Sequence, residues 1–95
     1  LVRRLREHGL RVAGMKPVAS GCERTPDGLR NEDALSLQRE SSGTWPYGTI
    51  NPFAFEPAIA PHVAAAEAGV WIDFDTIATA YRQLAAGSER VVVEG

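Results

Sequence analysis

The chain has 95 residues, of which 44% are hydrophobic and 23% are charged, and its formal net charge is −2, as in an ordinary globular domain. This mild acidity provides no basic surface for nucleic acid or an anionic membrane, and no apolar run approaches the roughly 20 residues that a membrane-spanning helix needs. The single cysteine, Cys22, excludes an internal disulfide and fits a reducing compartment, so we expect a cytoplasmic protein.

The first part of the sequence predicts the end of a helix, a strand and a loop. Residues 1–9 are typical of the last turns of a helix, since their basic residues suit a helix C-terminus and Gly9 suits the left-handed position after it. Residues 10–16 predict a short buried strand. Residues 17–30 are polar and rich in turn formers, so we expect a long loop, and loops of this length are often functional.

The middle of the sequence predicts one helix and one irregular strand. Asn31 is a good N-cap, and a helix is expected from there to about Ser41, with residues 42–44 breaking it. Residues 49–55 predict a short strand. Pro52 interrupts this strand and places it at a sheet edge or in an irregular position.

The last part predicts two helices and a strand. Pro61 begins a helix that Gly69 ends. Asp73 caps a second helix, which Gly87 closes. The apolar residues of this helix recur at helical spacing and are Phe74, Ile77, Ala78, Tyr81, Leu84 and Ala85. Val91–Val93 is an uninterrupted apolar strand, as found where helices cover both faces of a sheet. This order of elements predicts an α/β fold with a largely parallel sheet.

The two ends of the sequence predict that it is part of a longer protein. It begins with Leu1 rather than Met, inside a predicted helix, and it stops shortly after an apolar run that we expect to be a central strand. We therefore expect residues 1–95 to form a single partial domain, truncated at both ends. Function is accordingly assigned to the parent protein, and this segment alone is expected to be inactive.

Lys16 is the first candidate for a functional residue. It stands at the end of an apolar strand and directly before Pro17, which keeps the residue before it extended. The side chain should therefore project from the carboxyl edge of the sheet, where ligands bind in open α/β folds. The alternative is an ordinary surface lysine.

Three runs of the sequence carry a resemblance to a known family, namely Ala13–Gly21, Asn31–Leu35 and Val91–Gly95. Together they resemble the dethiobiotin synthetases, a family of ATP-dependent enzymes of biotin synthesis. The resemblance extends over essentially the whole chain, including Tyr47, Asn51-Pro52, Phe55 and the stretch Pro57–His62. It implies part of a P-loop NTPase-type three-layer fold, in which helices flank a mostly parallel sheet. The phosphate-loop pattern G-x-x-x-x-G-K-[ST] is absent, so we expect the segment to lack the family's N-terminal phosphate loop and its C-terminal half.

The resemblance implies that Asp33 and Glu94 are magnesium ligands, with Asp33 also contributing to nucleotide binding. Magnesium typically takes one or two carboxylates together with waters and substrate phosphates. Each residue also has a structural explanation. An acid in the first turn of a helix is favoured by the helix dipole, which would account for Asp33. An acid at a strand end often forms a salt bridge or remains solvated, which would account for Glu94.

The same resemblance implies roles for Lys16 and Ser20. Lys16 is expected to be catalytic and to contact the γ-phosphate of ATP and the carbamylated substrate, a role that suits a compact ammonium group. Ser20 is expected to hydrogen-bond the diamine substrate. It is equally well explained as a turn serine before Gly21.

The implied activity of the parent protein is a C–N bond-forming cyclo-ligase reaction that makes dethiobiotin from 7,8-diaminononanoate, CO2 or bicarbonate, and ATP with Mg²⁺. The family also implies a homodimer. One alternative is a related P-loop amidoligase or ATPase with another substrate, against which the Lys16–Gly21 motif argues. The other is a catalytically dead paralogue that acts as an interaction module, which an upstream Gly-Lys-Thr loop would argue against.

Overall fold

Two parallel strand pairs, one hairpin and five helices make up the fold, and a computed structural model describes all 95 residues. The elements in chain order are α1 (Val2–Glu7), β1 (Val12–Met15), β2 (Val18–Ala19), β3 (Glu23–Thr25), β4 (Gly28–Arg30), α2 (Glu32–Glu40), α3 (Tyr47–Ile50), β5 (Phe53–Ala54), α4 (Pro61–Ala68), α5 (Phe74–Ala86) and β6 (Arg90–Val93). None of the five helices combines the length and the apolar character that crossing a membrane requires.

The principal sheet consists of β1 and β6, which run parallel in a register that pairs Gly14 with Val92 and Met15 with Val93. Successive residues of a strand point to opposite faces. Gly14 faces α2 so closely that a Cβ atom there would lie 2.5 Å from Cδ2 of Leu37. Met15 and Val93 face α5 instead and line a groove with Ile77. Helices therefore cover both faces of a parallel sheet, which confirms the predicted α/β architecture.

The other edge of β1 is covered by two serine side chains rather than by a strand. The hydroxyl of Ser42 accepts a hydrogen bond from the Val12 N–H at 3.0 Å, and that of Ser41 accepts one from the Gly14 N–H at 2.9 Å. The Ser42 N–H donates in turn to the Val12 carbonyl at 2.7 Å. The sequence identifies residues 42–44 only as a helix breaker. The structure shows that the break also satisfies the backbone of β1.

Two predictions for the irregular regions are wrong. Residues 17–30 are not simply a loop, because β2 pairs in parallel with β5, and β3 and β4 form an antiparallel hairpin. Residues 49–55 are not one interrupted strand, because the helix α3 extends to Ile50 and the strand is reduced to Phe53–Ala54. Pro52 lacks an N–H to donate, which explains why strand pairing begins only after it.

The predicted helix ends are confirmed because local signals determine them. The Asn31 side chain accepts a hydrogen bond from the Ala34 N–H and caps α2, and Asp73 caps α5 in the same way through the Asp75 N–H. Gly69 ends α4 in the left-handed conformation, with φ of 69°. Phe74 differs from expectation, since it belongs to the apolar pattern of α5 but is 78% exposed.

Buried apolar residues form two clusters of unequal size. The larger cluster lies between α1, β1, α2, α3 and α5, and its nine members are Val2, Val12, Ala13, Met15, Ala34, Leu37, Ile50, Ala80 and Leu84. The smaller cluster has three members, Phe55, Ala64 and Ala65. The larger cluster fixes α2 against the principal sheet and therefore positions the ends of both elements.

Candidate active site at the carboxyl end of the principal sheet

Lys16 follows the last residue of β1, and both of its backbone groups are hydrogen-bonded. Its N–H donates to the Ile50 carbonyl at 2.8 Å, and its carbonyl accepts from the side-chain amide of Asn51 at 2.8 Å. The side chain is only 14% exposed, and its Nζ lies 3.5 Å from Oδ2 of Asp33. Lys16 is therefore a largely buried cation that is fixed at its backbone and directed toward the N-terminus of α2.

Asp33 lies in the first turn of α2, where the helix dipole favours a carboxylate. The packing of Leu37 on Gly14 holds this helix against β1 and brings Asp33 to the same end of the sheet as Lys16. The Asp33 side chain remains 66% exposed, so its ion pair with Lys16 contributes little to stability. Both groups can therefore exchange this contact for a charged ligand at small cost.

Glu94 directly follows β6 on the same edge of the sheet. Its N–H donates to the Met15 carbonyl at 2.8 Å, so it extends the ladder beside Lys16. Glu94 and Asp33 line one cleft of about 190 Å³, whose apolar wall is formed by Leu37 and Val92. The structure thus brings Asp33 to both Lys16 and Glu94, although the two carboxylates are 61 residues apart in the sequence.

The oxygen ligands in this cleft fit an Mg²⁺ ion that is bound partly by the protein and partly by a phosphate. Two of the lining carboxylates, Asp33 and Glu94, stand at the ends of packed elements, and Ser36 and Glu40 complete the polar lining. No group of three or more acidic, histidine or cysteine side chains is arranged to hold a metal ion on its own. Magnesium is commonly bound by one or two carboxylates while waters and substrate phosphates supply the other ligands. The set suits a metal that arrives with a phosphate ligand.

Ser20 lies just beyond β2, and its hydroxyl oxygen is buried without any hydrogen-bond partner. No hydrogen bond or ion pair joins it to Lys16, Asp33 or Glu94. An unsatisfied buried hydroxyl costs about 1–3 kcal/mol, so a ligand that bonded to it would recover that energy. The position and the unsatisfied hydroxyl are compatible with a substrate contact.

Cys22, on the same segment, is buried and its thiol contacts the Ala19 carbonyl at 3.5 Å. Burial raises the pKa of Cys22, an effect that the Phe55 backbone contact and the positive charge of Lys16 partly offset. A thiol with a raised pKa stays protonated at neutral pH and is a poor nucleophile. The environment of Cys22 therefore gives no sign of a catalytic role for this residue.

Sequence reasoning missed how Tyr47 and Asn51 connect the parts of the site. Both residues were named only as part of the family resemblance, and neither of them was given a role of its own. The Tyr47 hydroxyl accepts a hydrogen bond from the Asn31 N–H and donates one to Oδ1 of Asn51, each at 2.8 Å. Burial raises the pKa of Tyr47, so the hydroxyl keeps its proton at neutral pH. The sequence signal that could have pointed to this connection is the spacing of Tyr47 and Asn51, which lie four residues apart, with Pro52 directly after Asn51.

Comparison with known proteins gives the family. A family model described as AAA domain matches residues 1–95. The chain belongs to this family. It is also 55% identical over 89 residues to the ATP-dependent dethiobiotin synthetase BioD of Aeromonas hydrophila, which covers 93% of this chain and 39% of that protein. The resemblance and the P-loop NTPase-type fold that the motifs predict are thereby confirmed.

Two further relatives carry the same name. The proteins of Xanthomonas oryzae pv. oryzae and Xylella fastidiosa are 53% and 50% identical to this chain over 95 residues, which is the whole of this chain and 42% of each relative. The chain thus spans about two-fifths of the length of the curated relatives that it matches.

Proposed function

We propose that the protein carrying this chain is an ATP- and Mg²⁺-dependent dethiobiotin synthetase. The observation that carries the proposal is the convergence of Lys16, Asp33 and Glu94 at the carboxyl end of one parallel sheet. Such an edge is where α/β folds bind nucleotides and other ligands. The similarity to proteins named dethiobiotin synthetase supports the choice of reaction.

The proposed reaction closes a ureido ring on 7,8-diaminononanoate. One amine adds to CO2 to give a carbamate, and a carbamate oxygen attacks the γ-phosphorus of ATP, so that ADP leaves and a carbamic-phosphoric anhydride forms. The second amine then attacks the activated carbonyl carbon, and inorganic phosphate leaves as the ring closes. Catalysis of such steps consists mainly of positioning and of stabilising the charge on oxygen atoms.

Each residue of the site has a proposed part in this reaction. The Lys16 ammonium contacts the oxygens of the transferred phosphoryl group and of the carbamate, and it neutralises charge as the charge moves between them. Asp33 and Glu94 would hold Mg²⁺, which when bound neutralises the phosphate charge. The unpartnered Ser20 hydroxyl would bond to the diamine. In the same proposal the enzyme is a homodimer, as the family resemblance implies, and it is cytoplasmic, as the single cysteine favours.

The test is an assay of the complete purified protein with ATP, Mg²⁺, bicarbonate and the diamine. We expect dethiobiotin and inorganic phosphate to appear together and only when all four are present. Lys16→Gln should lower kcat by about 100-fold or more, the loss seen when one preorganised charge-stabilising donor is removed. Arg90→Gln is the matched control, because it removes an exposed positive charge at the opposite end of β6.

Two outcomes would overturn the proposal. Phosphate release that does not depend on the diamine would indicate a related amidoligase or ATPase with another substrate. Absence of both phosphate and dethiobiotin would indicate a catalytically inactive relative. A Lys16→Gln variant with unchanged turnover would separately remove the role assigned to Lys16.

A further inference from the structure

We propose that Tyr47 and Asn51 are positioning residues, which hold the Lys16 backbone and the N-terminus of α2 in one fixed geometry. The inference rests on the proposed function, since it assigns these residues to the reaction that Lys16 and Asp33 serve. Neither residue touches the cleft that Asp33 and Glu94 line. They act through hydrogen bonds to the segments that carry the charged groups.

The first half of this connection fixes Lys16. Pro17 follows Lys16 and has no N–H to donate, so the ordinary strand ladder is interrupted where Lys16 must be held. The side-chain amide of Asn51 donates to the Lys16 carbonyl at 2.8 Å and to the Phe53 carbonyl at 3.0 Å. Asn51 therefore links Lys16, just after the end of β1, to Phe53, at the start of β5. It is 3% exposed, so water does not replace these bonds.

The second half of the connection fixes α2. The Tyr47 hydroxyl donates to Oδ1 of Asn51 and accepts from the N–H of Asn31, the residue that caps α2. A continuous chain of hydrogen bonds thus runs from the Lys16 carbonyl through Asn51 and Tyr47 to the helix that carries Asp33. The 3.5 Å separation between Lys16 Nζ and Asp33 Oδ2 depends on how the end of β1 and the N-terminus of α2 are placed relative to each other.

The Tyr47→Phe substitution isolates the hydroxyl from the ring. The guanidinium of Arg30 lies 4.2 Å from the centre of the Tyr47 ring, and a phenylalanine keeps this contact and its packing. Only the two hydrogen bonds of the hydroxyl are lost. Tyr81→Phe is the matched control, because Tyr81 is a partly exposed tyrosine of α5 whose hydroxyl makes no hydrogen bond.

In the complete enzyme, Tyr47→Phe should lower kcat by about tenfold or more, as small misplacements of catalytic groups do, while KM for ATP changes less. Tyr81→Phe should leave both constants as in the parent enzyme. A Tyr47→Phe enzyme whose kcat equals that of Tyr81→Phe would overturn the inference. That result would leave the proposed function standing.

A double-mutant cycle with Lys16→Gln separates positioning from a general structural role. If Tyr47 acts through Lys16, Tyr47→Phe should have little further effect on kcat once Lys16 has been replaced. If Tyr47 serves only stability, its substitution should lower kcat by the same factor in both backgrounds. Equal factors would therefore overturn the inference.

Hydrogen exchange gives a readout that does not depend on turnover. Tyr47→Phe should accelerate exchange of the Asn31 and Lys16 amides, while the Val12 amide, which bonds to Ser42, serves as the unchanged reference. Unchanged exchange at Lys16 would overturn the inference. If the parent enzyme makes no dethiobiotin, the proposed function fails, and this exchange measurement still decides whether Tyr47 holds Lys16 in place.

Discussion

The region around β1 and the region around α4 differ in the size of their buried apolar clusters. Around β1, nine buried apolar residues form one cluster, and serine and asparagine side chains satisfy the backbone groups that strand pairing leaves free. Around α4 the buried cluster has three residues. Nearby Trp71 and Phe74 are 84% and 78% exposed. The three charged residues of the candidate site, Lys16, Asp33 and Glu94, lie in the first region.

This difference shows that tight packing and buried hydrogen bonds are needed to hold charged side chains in fixed positions. Lys16 and Asp33 meet because a packed glycine–leucine contact holds α2 to the sheet and a buried asparagine holds the strand end. A small cluster leaves an element freer to open locally, because few buried contacts oppose the opening. We therefore expect substitutions in the β1 region to affect both stability and the site, and those around α4 to have smaller effects.

The largest stability effect is expected for Leu84→Ala. Leu84 is fully buried in the larger cluster, and such truncations cost about 2–5 kcal/mol. Val70→Ala, at a 40% exposed position after α4, is the control and should cost less than about 1 kcal/mol. Urea unfolding of the complete protein measures both. Equal losses for the two variants would contradict the difference between the regions.

A smaller effect is expected for Gly14→Ala. The added Cβ would lie 2.5 Å from Cδ2 and 3.0 Å from Cβ of Leu37, so α2 must shift, at a cost of about 1–3 kcal/mol. Gly48→Ala is the matched control, because nothing lies within 4 Å of its added Cβ. We expect Gly14→Ala to lower both the unfolding free energy and kcat, since α2 carries Asp33. A Gly14→Ala enzyme as stable and active as Gly48→Ala would show that this contact does not position the helix.

The smallest effect is expected at Asp73, which caps α5 near the exposed Phe74. The side-chain hydrogen bond from Thr76, followed by the backbone N–H of Asp75, lowers the pKa of Asp73 from its ordinary value of 3.8. The unfolded chain therefore binds this proton more readily than the folded chain. The stabilisation is present above the unfolded pKa and is lost as pH falls through the lower folded pKa.

Asp73→Asn tests this pH dependence because it keeps an acceptor oxygen and removes the titration. As pH falls from about 6 toward 3, the unfolding free energy of Asp73→Asn should decline less than that of the parent protein. Parallel declines would show that the Asp73 hydrogen bonds do not differ between the folded and unfolded states.

The sequence predicted the elements whose ends depend on neighbouring residues. Asn31, Gly69 and Asp73 each act within one helical turn, and the apolar run of β1 reflects burial on both faces. The helix α3 has only four residues and could not be stable alone, so tertiary contacts determine it. Local propensity therefore gave no sign of it, and its residues were predicted to be partly strand.

The motifs identified candidate charged residues but not what holds them in place. Ser41 bonds to a residue 27 positions away, and Asn51 to one 35 positions away. No periodicity or turn signal records such a pairing. The helical spacing of Phe74 predicted that it lies on the apolar face of α5. The spacing could not show whether another element covers that part of the face.

The most direct test of the central claim is a crystal structure of the complete protein with Mn²⁺ in place of Mg²⁺, a non-hydrolysable ATP analogue and the diamine. The anomalous signal of Mn²⁺ locates the metal independently of the protein atoms. We predict the ion at the cleft, in contact with Asp33 or Glu94 and the analogue's phosphates, with Lys16 Nζ at the γ-phosphate. A nucleotide and metal bound in another crevice, with Lys16 still paired to Asp33 alone, would contradict the account.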